Sequence, residues 1–63
     1  MMYLFDFLGP FPPAQQILIY KDDPRIPTYE GSIAKFRYVD GKYWQVKVAE
    51  FSMNQLLIRV SHG

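Results

Sequence analysis

The sequence predicts a small α+β domain that is mostly β, in which a short N-terminal helix packs on an antiparallel sheet of four or five strands. Five segments are rich in β-branched or aromatic residues and are separated by turn-forming residues: 16–21, 28–31, 32–38, 43–51 and 55–60. A further apolar segment, at 2–8, ends at Gly-Pro, which is a usual stop signal of a helix. All 63 residues are expected to form a single domain.

The N-terminal apolar segment fits a helix better than a strand. Leu4, Phe7 and Leu8 are spaced i, i+3 and i+4, which places them on one helical face. Alternating aromatic residues would also fit a strand. Gly9 and Pro10 favour the helix, because glycine commonly ends a helix in the left-handed conformation and proline cannot continue it. So short a helix needs tertiary packing to be stable.

Phe11, Pro12 and Pro13 predict a stiff connector after this helix, because successive prolines fix φ and remove backbone donors. Pro10 and Pro13 also have the spacing of a PxxP ligand for a modular domain. No arginine lies nearby to orient such a ligand, so the connector is the favoured interpretation.

The first two strands predict a hairpin. Segment 16–21 carries apolar residues in both alternating sets, which is typical of a central strand covered on two sides. Segment 28–31 is the expected return strand. Between them, Asp22 and Asp23 could suggest a cation site, but one carboxylate pair falls short of the six to eight oxygens that calcium prefers. An Asx-type turn is the favoured interpretation.

Asp40 and Gly41 lie between two alternating segments and predict a second hairpin. A three-residue loop of Val39, Asp40 and Gly41, with Gly41 left-handed as a bulge, places Phe36 opposite Trp44. The same register makes one face of the pair apolar and the other polar, as a one-sided sheet requires.

An alternative reading makes Ser32 a helix N-cap and 33–38 one or two helical turns, with Ile33 and Phe36 on one face. After the strand at 43–51, residues 52–54 are expected to turn the chain. The last strand, 55–60, alternates and directs three apolar residues inward: Leu56, Ile58 and Val60.

Composition excludes several classes of site and of partner. With no cysteine, the chain has neither disulfides nor thiolate zinc ligands. A net charge of +1 is too small to predict strong non-specific binding to nucleic acid or to an anionic membrane. The apolar N-terminus lacks a basic region and a cleavage pattern, and no segment approaches the ~20 apolar residues of a membrane span. A cytoplasmic protein is therefore expected.

The size of the chain favours self-association. A domain of this length buries only about 60% of the surface that its unfolded chain exposes. Aromatic residues make up 17% of the chain and each can bury about 150–250 Å², but the core stays marginal and the sheet edges still need cover. Homodimerisation is therefore an expectation.

Catalytic groups are too few and too scattered to predict an enzyme. A serine nucleophile would be Ser32, Ser52 or Ser61, and His62 is the single imidazole base. His62 directly follows Ser61 near the end of the chain, whereas acid–base catalysis needs groups positioned within about 3 Å. The four glycines are isolated, so no phosphate-binding loop is present. The sequence predicts a protein without catalysis, cofactor or metal.

The candidate binding residues lie in the aromatic and basic segment around Asp40-Gly41: Arg37, Tyr38, Lys42, Tyr43 and Trp44. Three interpretations are open. The aromatic residues can be core and the cations a solvated face. Exposed tyrosines beside cations can stack on single-stranded nucleic acid. The aromatic residues can also form a cage for a methylated cation through cation–π attraction.

Two resemblances bear on function. The segment "GSIAKFRYVDGKYWQVKVAEFSMNQLLIRVSHG" resembles the central part of a Tudor-type barrel, in its Asp-Gly turn, aromatic pair and Ala-x-Val strand. This resemblance implies a small SH3- or Tudor-like barrel as the alternative fold, with Tyr38, Tyr43 and Trp44 as cage or barrel residues. His62 stands where that family has a late aromatic residue.

Residues 3–60, through "YLFDFL", "ILIY", "YEGSIAKF", "VKVAEF" and "LLIRV", resemble small proteins of bacterial phages and related mobile elements. That resemblance implies an accessory protein that acts by protein–protein contact and has no chemistry of its own. It covers more of the chain, so it is the leading interpretation. A Tudor- or SH3-like module for a methylated peptide or single-stranded nucleic acid is the alternative.

Overall fold

A computed structural model of the chain describes residues 2–36, 41 and 43–61. The elements follow in this order: α1 (Leu4–Leu8), β1 (Gln16–Tyr20), β2 (Tyr29–Ser32), a single 3-10 turn (Ile33–Lys35), β3 (Gln45–Ser52) and β4 (Gln55–Ser61). Within the described residues the domain is thus mostly β, with a short N-terminal α-helix, as the sequence predicts.

The four strands form one open, mixed sheet in the order β2-β1-β4-β3. β1 pairs antiparallel with β2, and β3 pairs antiparallel with β4. β1 and β4 lie side by side and run parallel, so the prediction of a fully antiparallel sheet is wrong for the central pair. Two hairpins are joined through their inner strands, and the sheet does not close into a barrel.

The central strands carry the core on one face of the sheet. Ile17 and Ile19 of β1 lie beside Leu56 and Ile58 of β4, and all four side chains are buried. Each such side chain contributes about 1.5–3 kcal/mol when it is fully buried. The predictions of a central first strand and of an inward Leu56, Ile58 and Val60 are confirmed.

Helix α1 is held in place by its apolar face and by the backbone before it. Leu4 and Leu8 are buried in the core, as their spacing predicts. The Leu4 amide donates to the carbonyl of Trp44 at 2.7 Å, and the Val46 amide donates to the carbonyl of Met2 at 2.9 Å. These two bonds add the N-terminal segment to the outer edge of β3, which stabilises a five-residue helix that could not form alone.

The end of α1 differs from the predicted left-handed glycine cap. Gly9 has φ −52° and ψ −46°, which is right-handed helical geometry, and its amide donates to the Asp6 carbonyl. Pro10 therefore ends the helix, because its nitrogen carries no proton to continue the ladder. Glycine suits this position because a Cβ disfavours right-handed helical geometry before proline.

The proline-rich connector is tied to the 3-10 turn. The Pro13 carbonyl accepts a hydrogen bond from the Ala34 amide, and the Gln15 carbonyl accepts one from the Ile33 amide, both at 3.0 Å. The Phe11 ring lies between those of Phe7 and Phe51, with centroid separations of 5.6 and 6.2 Å. The segment therefore acts as a connector packed on the domain.

The strand predicted at 32–38 is wrong for residues 33–36, whereas Ser32 ends β2 and residues 37 and 38 lie outside the described residues. The chain forms the 3-10 turn there, with Ile33 and Phe36 both buried, as the helical alternative requires. The Ser32 side chain makes no capping hydrogen bond. β3 pairs with β4, so the predicted register of Phe36 opposite Trp44 does not form.

The hairpin loop predicted at 39–41 is described only at Gly41. Gly41 is buried and has helical backbone geometry, so the predicted left-handed bulge is wrong at this residue. Val39 and Asp40 lie outside the described residues. The turn after β3 is confirmed, and it places Met53 at φ 58°.

The 22–27 loop contains the expected Asx-type turn. The Arg25 amide donates to Asp23 Oδ1 at 2.9 Å, and the Arg25 guanidinium reaches the same carboxylate at 3.0 Å. These hydrogen bonds, the side-chain ones first, hold the pKa of Asp23 below its usual value and raise that of Arg25. Arg25 is largely exposed, so this pair orders the loop and adds little to global stability.

At Gly31 in β2 the backbone conformation requires a glycine. Its φ of 151° is a conformation that L side chains rarely adopt, and a Cβ there would lie 2.9 Å from the hydroxyl oxygen of Tyr29. That hydroxyl donates to the carbonyl of Ser32 at 2.6 Å, and the Tyr29 ring packs on Phe36 at 5.0 Å. The Tyr29 ring therefore occupies the space into which a side chain at Gly31 would project.

We expect Gly31→Ala to lower the free energy of unfolding by about 1–3 kcal/mol, the usual cost of a residue held in a sparsely populated backbone region. Urea denaturation followed by Trp44 fluorescence measures this loss. In a double-mutant cycle, Tyr29→Phe should recover part of it, because it removes the hydroxyl that the new Cβ meets. An unchanged stability of Gly31→Ala would contradict this account of the β2 backbone.

Candidate functional site

The structure separates the two sequence-predicted site residues that it describes. Tyr43 is exposed, whereas Trp44 is half-buried against the core. The ammonium of Lys21 lies 5.2 Å from the centre of the Trp44 ring, a cation–π contact within the chain. Arg37, Tyr38 and Lys42 lie outside the described residues.

An aromatic cleft of about 280 Å³ forms on the surface beside Tyr43. This cleft, which we call the aromatic cleft, is lined by Tyr3, Phe5, Asp6 and Tyr43. The three aromatic side chains are 43%, 52% and 68% exposed for Tyr3, Phe5 and Tyr43 respectively. Exposed aromatic residues grouped around one concavity are typical of a contact site.

The N-terminal segment positions this cleft through its alternating contacts. Leu4 points into the core, so its neighbours Tyr3 and Phe5 are directed toward solvent. The backbone bridge between Tyr3 and Gln45 fixes the segment beside the start of β3. Tyr3 and Tyr43 then meet edge to face, with ring centroids 5.9 Å apart and planes at 81°. Two distant parts of the chain therefore build one site.

The cleft combines aromatic rings with one carboxylate. Aromatic ring faces carry partial negative charge and attract cations within about 6 Å of the ring centre. The Asp6 carboxylate adds a full negative charge to the same lining. A group that is both apolar and cationic therefore suits the cleft best, since its methyl or methylene groups contact rings and its charge faces the carboxylate.

Sequence reasoning missed Tyr3, Phe5 and Asp6 as site residues because it assigned them to a helix that only packs. A signal was present, since Phe5 lies about 100° around the helix from Leu4, at the border of the face formed by Leu4 and Leu8 and beside an acidic residue. A large aromatic residue at the border of the apolar face of a helix is a candidate contact residue. The pairing of that helix with Tyr43 depends on tertiary structure.

The residues considered for catalysis do not assemble in the described part of the chain. Ser32 ends β2 and Ser52 ends β3, and these strands form opposite edges of the sheet. His62 lies outside the described residues. Within residues 2–36, 41 and 43–61, no three His, Asp or Glu side chains are grouped so that they could hold a metal ion.

No protein-family model matches the chain, and comparisons with curated proteins and with solved structures find no match either. Among the described residues, no helix has both the length and the apolar character needed to cross a lipid bilayer.

Leu4→Ala and Phe5→Ala should separate the core from the cleft. Leu4 is fully buried, so its truncation is expected to lower the free energy of unfolding by about 2–5 kcal/mol. Phe5 is half-exposed, and its truncation should cost less than about 1.5 kcal/mol. Urea denaturation of both variants gives the comparison. Equal losses of unfolding free energy in the two variants would show that Phe5 packs in the core and does not line the cleft.

Proposed function

We propose that the protein is a non-enzymatic accessory protein that acts by binding another protein, and that the aromatic cleft is its contact site. The observation that carries this proposal is the grouping of three exposed aromatic side chains around one concavity. Aromatic residues in such positions supply most of the binding energy of many interfaces. The likeness of residues 3–60 to small phage and mobile-element proteins supports the same conclusion.

The cleft is held in shape before a partner arrives. Tyr3 is fixed by the backbone bridge to Gln45, and its ring contacts Tyr43. Phe5 is carried by a helix whose Leu4 and Leu8 are buried. A contact site ordered in advance loses less conformational entropy on binding, which favours affinity.

A second candidate function is the recognition of a methylated lysine or arginine, as in Tudor- and SH3-like modules. The presence of Asp6 among three aromatic rings favours it, because methylated ammonium groups bind between ring faces and a carboxylate. This cage would use Tyr43 with Tyr3 and Phe5 rather than with Trp44. Single-stranded nucleic acid is less favoured here, since the Asp6 carboxylate repels phosphates.

Affinity capture from bacterial cytosol, with and without nuclease, tests the proposed function. We expect one protein to be retained in both conditions and to be lost with Tyr3→Ala and with Tyr43→Ala. Met53→Ala is the matched control, because Met53 is 98% exposed and lies outside the cleft. Retention that vanishes with nuclease, or that persists in both cleft variants, would overturn the proposal.

The methylated-cation alternative has its own assay. Peptides that carry unmethylated, dimethylated or trimethylated lysine are titrated into labelled protein, and the chemical shifts of Tyr3 and Tyr43 are followed by NMR. Saturable shifts with the trimethylated peptide, weakened about tenfold by Asp6→Asn, would favour this function. Equal shifts with all three peptides would remove it.

We also propose that the protein forms a homodimer. The N-terminal segment covers the outer edge of β3 only near Gln45 and Val46. Among the described residues, no strand pairs with the rest of that edge. Val48 and Phe51 on this strand are exposed. Unpaired edges are templates for strand pairing with another chain.

Light scattering across a range of protein concentrations tests dimerisation. We expect twice the chain mass at high concentration and a shift toward the monomer in Val48→Lys, because a lysine on an edge strand opposes strand pairing. A monomer mass at every concentration would exclude the dimer without affecting the proposed contact site.

A further inference from the structure

A second cleft, of about 470 Å³, lies where the strands β1 and β4 end and β3 begins, and we call it the basic cleft. Its lining residues are Lys21, Asp22, Lys47, Arg59, Val60 and Ser61. We propose that the basic cleft binds carboxylate groups of an acidic protein segment. It shares no lining residue with the aromatic cleft, so this inference does not depend on the proposed function.

The topology of the sheet brings these cations together. β1 and β4 are parallel, with Tyr20 beside Arg59, so Lys21 follows β1 at the same end where β4 finishes. β3 runs antiparallel to β4, so its first residues, including Lys47, lie at that end too. β3 and β4 thus contribute one cation each and the residue that follows β1 contributes the third, and no short sequence motif predicts this grouping.

The basic cleft contains more cationic side chains than carboxylates. Lys21, Lys47 and Arg59 face one carboxylate, Asp22, which gives a balance of 3 − 1 = +2, against +1 for the whole chain. Among the described residues, the ion pair that forms is between Asp23 and Arg25, so none of the three cations in the cleft has a carboxylate partner. Like charges held close together repel, and an anion between them removes that repulsion.

Two of the three cations are partly fixed. The Lys21 ammonium lies over the Trp44 ring, and the Lys47 ammonium is 3.4 Å from Oε1 of Gln45. The third, Arg59, lies between Tyr20 and Val48 of the neighbouring strands. Its planar guanidinium can bind a carboxylate through two parallel hydrogen bonds.

Carboxylates fit the basic cleft better than phosphates do. Compact phosphate sites usually add backbone amides from a glycine-rich loop or a helix N-terminus, and the lining supplies neither. Here the cations come from three separate segments of the chain, which suits several carboxylates spaced along an extended partner segment. Sustained binding of nucleic acid draws on a larger positive surface than a net charge of +1 provides.

Trp44 is the one tryptophan of the chain, and its contact with Lys21 makes it a reporter of this cleft. We would titrate the protein at constant ionic strength with a blocked hexaglutamate peptide, with inorganic phosphate and with a six-nucleotide oligothymidine. The expected result is a saturable change in Trp44 emission with hexaglutamate, which weakens as salt is added.

Arg59→Gln is expected to weaken hexaglutamate binding about tenfold while leaving the Lys21–Trp44 contact intact. Lys35→Gln is the matched control, since it removes one exposed cation outside the cleft and should leave affinity unchanged. Three results would each overturn the proposal: no response to hexaglutamate, equal losses in both variants, or tighter binding of phosphate or oligothymidine than of the peptide.

Discussion

Backbone pairing between β1 and β4 joins two hairpins that could not stand alone, because an isolated hairpin is at best marginally stable in water. The pairing brings Ile17 beside Leu56 and Ile19 beside Ile58, and these buried side chains form the centre of the core. Helix α1 then covers this apolar face with Leu4 and Leu8. The rest of the fold packs on a sheet whose two inner strands, β1 and β4, run in the same direction.

The same parallel pair explains why one end of the sheet carries both candidate clefts. The strands β1 and β4 finish there, and β3 starts there after Tyr43 and Trp44. Tyr43 lines the aromatic cleft, which also contains the Asp6 carboxylate. Trp44 contacts Lys21 at the edge of the basic cleft. Two adjacent aromatic residues thus serve surfaces of opposite electrostatic preference. A protein partner that carries both cationic and acidic groups would satisfy both surfaces.

The sequence predicted the elements whose own residues decide their structure. The alternation of Leu56, Ile58 and Val60 identifies β4 and its inner face, and the apolar residues in both alternating sets of β1 identify it as a central strand. It failed where the outcome depends on distant partners. Strand direction was wrong for β1 and β4, because burial patterns specify a face and carry no information about the neighbour's direction. The segment around Ile33 favours a strand locally because it contains β-branched and aromatic residues, and the helical alternative that the sequence also allows is closer to the 3-10 turn that forms.

The candidate site was predicted in part for a similar reason. Tyr43 was recognised from its local pattern, but Tyr3 and Phe5 join it only through backbone bonds between residues about forty positions apart. The cations of the basic cleft are likewise scattered through the sequence and meet only because of strand order. Sites built from long-range pairing have no local signature.

The most direct test of the account is a set of cross-strand backbone NOEs between β1 and β4. The account predicts contacts that link Ile17 with Leu56 and Ile19 with Ile58 in parallel register, without close contacts between opposing α-protons. Strong α-proton to α-proton contacts between these strands would show an antiparallel pair. That result would contradict the parallel junction of the two hairpins and the grouping of Lys21 with Arg59 in the basic cleft.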